Sequence, residues 1–283
     1  MKPSGVVTLL TDFGLEEPYV CMMKGVILSV NPAARIIDIS HHVTPGAISQ
    51  AAQMLQETYP YFPFGTVHVA VVDPGVGTDR RPIVLIARSH IFVGPDNGIF
   101  SPILEACPEA EVIHLSKARY FLPHISDTFH GRDIFAPVAG HLSQGADPFD
   151  MGPIIYDPIH LKFPASYIKE GSLYGEIVQV DHFGNLITNI RRGDIEGFVG
   201  TSVPLVRLGD LRIEGIRRTY AQTEPGEILA LFGSSDYLEI AVNRGRAVDR
   251  TGLAPTEIIG SEVEVSRREA DGDHSCTAFN DFR

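Results

Sequence analysis

Two hydrophobic patterns alternate over the first half of the chain, and that alternation restricts the fold more than any other feature. Short β-branched runs at residues 5–11, 35–39, 66–72, 82–87, 90–93 and 111–115 read as strands. Between them, residues 19–30, 45–59, 99–106 and 134–144 read as helices. In the first of these, Val20, Met23, Ile27 and Val30 share one face, and Asn31-Pro32 stops the helix. Strands interleaved with helices predict βαβ units and a mainly parallel sheet. Several strands run directly into polar turns carrying Asp12, His41, Asp73 and Asp96. Such a sheet would gather those turns along one edge, where open α/β sheets bind ligands.

The pattern changes after Gly145. Pro148, Pro153, Pro158 and Pro164 punctuate a stretch with no helical period, expected to be a linker or wrapping segment. Strand-like runs then follow at residues 174–180, 203–208, 227–232, 238–242 and 262–265, which predict a small all-β domain, a barrel or a sandwich. The expected division is an α/β domain at 1–147, a linker at 148–171, a β domain at 172–268 and a disordered tail at 269–283.

With 283 residues, of which 44% are hydrophobic and 20% charged, the chain can bury a sizeable core. A net charge of −12 without any Lys/Arg-rich run argues against nucleic acid as a partner. Cys21, Cys107 and Cys276 are far apart and odd in number, which suits a reducing compartment rather than a disulfide framework. No apolar stretch reaches bilayer length, and Asp12 interrupts an N-terminal run already short for a signal peptide. A cytoplasmic protein with no membrane partner is expected. His41-His42, His130 and His182 lack metal-ligand spacing, so no metal is expected. The glycines of GVGT fit neither a phosphate-binding lysine loop nor a dinucleotide fingerprint, which argues against ATP hydrolysis and NAD binding.

Three stretches could carry chemistry. VVDPGVGTDRR, residues 71–81, sets an acid and a guanidinium on a glycine-supported loop just past a strand. Asp73, Arg80 and His130 together could bind a water and favour its deprotonated form, because a neighbouring cation stabilises developing hydroxide. His130 reads equally well as a helix-entry residue bonded to backbone. DHFGN, residues 181–185, has the signal of a hairpin turn. Alternatively, Phe183 could stack on a planar base while Asn185 presents a donor and an acceptor to the edge of adenine. GSSD, residues 233–236, is a turn by local rules, with hydroxyls able to grip a ligand's carboxylate or amine.

Seven motifs in order carry a wider resemblance: TDFG (11–14), MKGV (23–26), VVDPGVGT (71–78), GPDNG (94–98), TFHGRD (128–133), DHFGN (181–185) and LEIAVN (238–243). Over roughly residues 6–265 the chain resembles the S-adenosyl-L-methionine hydrolases (adenosine-forming), also called SAM hydroxide adenosyltransferases. The resemblance implies a Rossmann-like N-terminal α/β domain with a mainly parallel central sheet, and a small C-terminal β-barrel. It implies a homotrimer that binds its ligand between the N-domain of one subunit and the C-domain of its neighbour. It also implies S-adenosyl-L-methionine as substrate, adenosine as product, and no cofactor.

Carried over to this chain, the resemblance makes Asp73, Arg80 and His130 the catalytic set and gives Asp12 the ribose. Gly131, Asp181, Phe183, Asn185, Ser234, Glu239 and Val242 become further substrate contacts, and Asp79 and Arg81 fall back to solvated charges. The implied reaction is in-line displacement at ribose C5′ by water delivered as hydroxide, with L-methionine leaving; which of the three residues is the base stays open. Two alternatives stand beside it, a halide-using transferase on the same scaffold and a non-catalytic adenosine-binding module. The halogenating relatives have tyrosine where Asp73 stands and lack the arginine, and the fluoride-using ones have serine where Gly131 stands. This chain departs from the family pattern at Cys21, at Arg246, and at Ser235, where the halogenating enzymes have an arginine.

Overall fold

A computed structural model describes residues 2–267, so the expected tail at 269–283 lies outside the described residues. The chain divides into two compact units, Met1–Phe163 and Pro164–Arg283.

The first unit is built on a seven-stranded sheet. In chain order its elements are β1 (Val6–Thr11), α1 (Tyr19–Val30), β2 (Arg35–Ser40), α2 (Ile48–Thr58), β3 (Val67–Val71), β4 (Pro82–Ala87), β5 (His90–Pro95), α3 (Ser101–Ala106), β6 (Glu111–His114), α4 (Ala136–Ser143) and β7 (Ile154–Ile155). The spatial order is β2-β1-β3-β5-β4-β6-β7. Pairing is parallel from β2 through β5, with α1 and α2 making the crossovers among β1, β2 and β3. It is antiparallel from β5 through β7. The sheet is therefore mixed, a correction to the mainly parallel expectation. The cause is the two-residue turn Arg88-Ser89, whose φ angles of 47° and 64° form a tight hairpin that reverses the chain.

Every residue of β1 and β3 is buried, because helices cover both faces. On one face Val7, Leu9, Val69 and Val71 pack with Met23 and Ile27 of α1 and with Val138 of α4. On the other, Leu10, Ala70, Val72 and Phe92 pack with Ala51 and Leu55 of α2 and with Ile103 of α3. A polar thread crosses this interior. Thr8 Oγ1 lies 2.8 Å from His68 Nδ1, and His68 Nε2 lies 3.1 Å from His90 Nδ1. Burial, aided by the neighbouring His90, pushes the His68 pKa down to about 3.

The stretch after Gly145 is partly structural in the first unit. Ile154–Ile155 extends the sheet at β6, and Asp157 and Ile159 bind the Arg81–Asp96 pair described below.

The second unit holds β8 (Tyr167–Lys169), β9 (Ser172–Val180), β10 (Leu186–Arg191), α5 (Arg192–Val199), β11 (Pro204–Leu208), β12 (Leu211–Glu214), β13 (Ile228–Phe232), β14 (Tyr237–Val242), α6 (Pro255–Ile258) and β15 (Glu262–Arg267). Its antiparallel sheet runs β12-β11-β15-β9-β10-β14-β13, with β8 on β9. Arg217, just past β12, forms a bridge to Leu231 of β13. The sheet thus curls back toward its own edge as a barrel-like layer around Ile177, Ile190, Val206, Ile240 and Val263. Helix α5 has no counterpart in the sequence reading, since Gly193 and Gly197 interrupt its pattern. It is held instead by Asp194, which accepts from the Arg191 N–H at 3.1 Å, and by buried Ile195, Phe198 and Val199.

Candidate functional site

In the first unit the sequence candidates converge at the carboxyl ends of β1 and β3. After β3 the chain coils through two tight turns, with the Val76 N–H donating to Asp73 O and the Thr78 N–H to Gly75 O, each at 3.2 Å. This coil returns Arg80 to Asp73. Arg80 Nε donates to Asp73 Oδ1 at 3.1 Å, and Arg80 Nη2 donates to Asp73 Oδ2. Both side chains are almost wholly buried, at 6% and 5% exposure, and the guanidinium also sits over the Phe135 ring. At φ +77° a Cβ on Gly77 would stand 2.2 Å from Asp127 O, so only glycine lets this loop press against the segment leading to His130.

Arg80 Nη2 is also 2.9 Å from His130 Nδ1. A guanidinium only donates, so Nδ1 must be the unprotonated nitrogen and a neutral His130 carries its proton on Nε2. Burial first, then the Arg80 cation, holds the His130 pKa below the ordinary histidine value. The remaining amino group, Arg80 Nη1, is buried with no hydrogen-bond partner among the described residues. The three residues therefore meet, and they leave one buried, unused cationic donor.

His130 stands at the mouth of a π-turn. Residues Gly131–Phe135 make one wide turn before α4, and the Ala136 N–H reaches back five residues to Gly131 O. Gly131 is buried and closely packed. A Cβ there would meet Met23 Sδ at 3.2 Å and the Phe129 and Phe13 rings at 3.3 Å each. Phe13 follows Asp12, whose Oδ2 accepts from the Gly46 N–H at 2.9 Å.

Of the two neighbouring charges expected to be solvated, Asp79 is exposed. Arg81 is not simply solvated, which corrects that expectation. It donates from Nε to Asp96 Oδ2 at 2.8 Å and from Nη2 to Asp157 O at 2.7 Å. Asp96, 2% exposed, also accepts from the Ile159 N–H at 2.8 Å, so this pair is a latch for the segment after β7.

In the second unit DHFGN is a hairpin turn between β9 and β10 and lines a cleft as well. Asp181 spends both oxygens on Asn185, accepting from its backbone N–H at 2.8 Å and its Nδ2 at 2.9 Å. It orients Asn185 rather than facing the cleft. A cleft of about 520 Å³ is lined by Phe183, Asn185, Tyr220, Val242, Arg244, Gly245 and Arg246. Phe183 is 71% exposed, its ring an open platform.

Glu239 does not line the cleft. It is buried on β14 and accepts from the Tyr220 hydroxyl at 2.6 Å. Burial and the nearby Asp181 raise the Glu239 pKa, and burial with Glu239 raises that of Tyr220. Ser234 lies exposed in the β13–β14 turn, outside the cleft. Sequence reasoning missed Tyr220 and Arg244 as cleft residues. Tyr220 follows Thr219 in a short 3-10 turn with no local periodic signal, and Arg244 holds a positive φ of 55° that nothing in its side chain announces. Among the described residues, no group of three His, Cys, Asp or Glu side chains is arranged to hold a metal ion.

Comparison with known proteins agrees with this layout. Residues 7–152 match the SAM hydroxide adenosyltransferase N-terminal domain, and residues 175–260 match the C-terminal domain of the same family. The chain is 39% identical over 260 residues to the (R)-S-adenosyl-L-methionine hydrolase of Thermus thermophilus, covering 89% of this chain and 96% of that protein. A crystal structure of an uncharacterized conserved protein from Thermotoga maritima superposes with a TM-score of 0.86 at 36% identity, covering 92% of this chain and all of that one. A fluorinase of Nocardia brasiliensis is more distant, 27% identical over 270 residues, covering 84% of this chain and 90% of that enzyme. The chain belongs to the SAM hydroxide adenosyltransferase family.

Proposed function

We propose that this chain hydrolyses S-adenosyl-L-methionine to adenosine and L-methionine. The observation that carries the reading is the buried Asp73–Arg80–His130 set with its unpartnered Arg80 Nη1. A water-derived oxygen bound at Nη1 would lie beside a fixed cation in a poorly solvated place, where electrostatic stabilisation of hydroxide is strong. The bound water gives up one proton to solvent, and the resulting hydroxide oxygen attacks ribose C5′, forming a C–O bond as the C5′–S bond breaks. The electron pair goes to the sulfonium sulfur, so methionine departs neutral and needs no acid to pull it away. Holding two reactants in line contributes on the order of 7 kcal/mol in well-aligned cases.

The hydrogen bonds of the set support a division of roles. Asp73 has both oxygens on Arg80 and acts by fixing the guanidinium. His130, with Nδ1 turned to Arg80, offers an Nε2–H and serves as a donor to the bound oxygen rather than as the base. Asp12 holds the ribose hydroxyls. Phe183, Asn185 and Val242 hold adenine in the cleft of the second unit, with Asp181 and Glu239 supporting Asn185 and Tyr220. Ser234 and Gly131 lie with the methionine and ribose portions. We further propose a cytoplasmic homotrimer, the second unit completing its sheet as a small β-barrel and the first a Rossmann-like domain. Sedimentation of the purified protein checks the trimer.

The halide alternative is less well supported. Asp73 and Arg80 occupy the place where halogenating relatives have tyrosine and no arginine, and a Cβ at Gly131 would press on Met23 Sδ and the Phe129 and Phe13 rings at 3.2–3.3 Å. The test is turnover of S-adenosyl-L-methionine in ¹⁸O-labelled water. Adenosine carrying ¹⁸O at the 5′ oxygen, with methionine released, is the expected result. A 5′-halo product with added chloride or fluoride would overturn the reading, as would adenosine bound without any turnover.

A further inference from the structure

Outside the Asp73–Arg80–His130 set, the described residues hold a second chain of polar contacts at the same sheet edge, and the reaction proposed above does not use it. It begins on the surface and ends on the turn that carries Asp12. Lys24 Nζ, on α1, donates to Asp38 Oδ2 on β2 at 2.6 Å. Asp38 Oδ1 lies 3.1 Å from His41 Nε2 in a close but bent contact. His41 Nδ1 lies 2.8 Å from Thr11 Oγ1, and Thr11 Oγ1 accepts from the Phe13 N–H at 3.3 Å. His41 is 3% exposed and Thr11 wholly buried.

The directions of these bonds are consistent from end to end. Burial pushes the Asp38 pKa up, but Lys24, which donates to it, and the nearby His41 imidazole hold it below the usual carboxylate value. An imidazole facing that carboxylate with Nε2 carries its proton there, which leaves Nδ1 as an acceptor for the Thr11 hydroxyl. The Thr11 oxygen then keeps its lone pairs for the Phe13 amide. The same loop grips the turn twice more through backbone. His41 O accepts from the Gly14 N–H at 2.8 Å, and the Gly46 N–H donates to Asp12 Oδ2 at 2.9 Å. Asp12 is thus held from before, behind and at its own carboxylate, all by residues 41–46 and Thr11. Nothing in this geometry opens Thr11 to a substrate, so the Asp38–His41–Thr11 arrangement is not a nucleophilic set.

We propose that His41 is a positioning residue. Through Thr11 it fixes the turn bearing Asp12 in the geometry that nucleoside binding requires, while Asp38 and Lys24 fix the imidazole. Polar groups that lock the rotamer of a binding residue's neighbours commonly govern its affinity without touching the ligand. The proposal rests on the reading of Asp12 as a ribose contact.

The test uses the full chain, with adenosine as the probe in calorimetry and amide hydrogen exchange as the structural readout. Wild-type protein must first bind adenosine. If it does not, the reading of the site fails at this control, before any variant is measured, and the positioning role falls with it. Given binding, His41→Leu and Thr11→Val should each weaken adenosine affinity tenfold or more and speed exchange at Phe13 and Gly14. Exchange in β3 should stay unchanged, which shows that the variants are folded. Thr11→Ser, which keeps the hydroxyl, should restore both readouts to near the wild-type values. His41→Asn offers an acceptor close to the place of Nδ1 and should recover most of the affinity. Folded His41→Leu and Thr11→Val proteins that bind adenosine like wild type would overturn the proposal. So would a Thr11→Ser protein as weak as Thr11→Val, because the hydroxyl would then be irrelevant.

Discussion

Asp73 and Arg80 meet through two parallel hydrogen bonds, fork against carboxylate, in a place where neither side chain has more than 6% of its surface exposed. Such a pair is stable as a unit and fragile when halved, because the survivor is a buried charge without a partner. Asp73→Ala should lower stability by about 3 kcal/mol, the scale expected for breaking a buried pair. It should also abolish adenosine formation. The double variant Asp73→Ala/Arg80→Met, measured by urea denaturation, should regain most of that stability while staying inactive. A double variant no more stable than the single one would show that the pair is not the source of the loss.

His130 should titrate low. Burial and the Arg80 cation both disfavour its charged form, so the neutral imidazole persists below the usual histidine pKa of about 6.5. If turnover depends on that neutral form, kcat/KM stays level as pH falls through 6.5 and declines only further down. In Arg80→Met the cation is gone while the burial remains, and the His130 ring resonance followed by NMR should titrate at higher pH than in wild type. An unchanged titration would mean that Arg80 does not act on the imidazole.

Phe183 separates binding from stability. Its ring is 71% exposed and lines the cleft with Asn185 and Val242. Loss of a stacking platform under a base typically costs about 1–3 kcal/mol. Phe183→Ala should therefore weaken adenosine about ten- to a hundredfold in calorimetry, with a melting temperature close to wild type. Undiminished affinity would remove Phe183 from the site.

The buried His68–His90 pair predicts acid sensitivity. With a folded pKa of about 3, His68 stays neutral while the unfolded chain takes up a proton near the ordinary value of about 6.5. The unfolded state thus binds more protons in that window, and stability must fall as pH drops through 6.5 toward 3. The effect should be on the order of a few kcal/mol. Denaturant titrations at pH 7 and pH 5 should show it, and His68→Gln should flatten the slope between them. An equally steep slope in that variant would place the sensitivity elsewhere.

Gly131→Ser tests the crowding around the π-turn. The new Cβ would press on Met23 Sδ and two rings at 3.2–3.3 Å, so a loss of about 1–2 kcal/mol is expected, in the range of overpacked sites. Thermal melts check it, and a variant as stable as wild type would mean that Met23 and the rings yield freely.

Much of this was legible from sequence, because it rests on local pattern. Strand β1 and helix α1 announce themselves through β-branched and 3.6-residue periodicity, and the β-rich second unit through short alternating runs. The mixed sheet was harder. Two adjacent strands joined at Arg88-Ser89 were visible, but the left-handed conformation that makes their turn a tight hairpin belongs to residues that rarely adopt it. Among site residues, Asp73, Arg80 and His130 could be named, yet their meeting depends on Gly77 lying against Asp127, a contact 50 residues away along the chain. Asp181 and Arg81 show the opposite limit. Their charges were readable, but whether a charge faces a ligand or a neighbour is decided by packing that pattern alone does not encode.

The π-turn at Gly131–Phe135 holds a single residue more than a regular helix would use, and that surplus sets the bearing of His130. Each residue of an α-helix advances about 100° around its axis and about 1.5 Å along it. With α4 anchored on the core, removing any one residue from this turn would swing the residues just before it, His130 among them, by that angle. His130 would then point away from Arg80 while the fold around it stayed intact. In a lineage of such proteins, one in-frame codon lost or gained here would be enough to disconnect the chemistry from the scaffold.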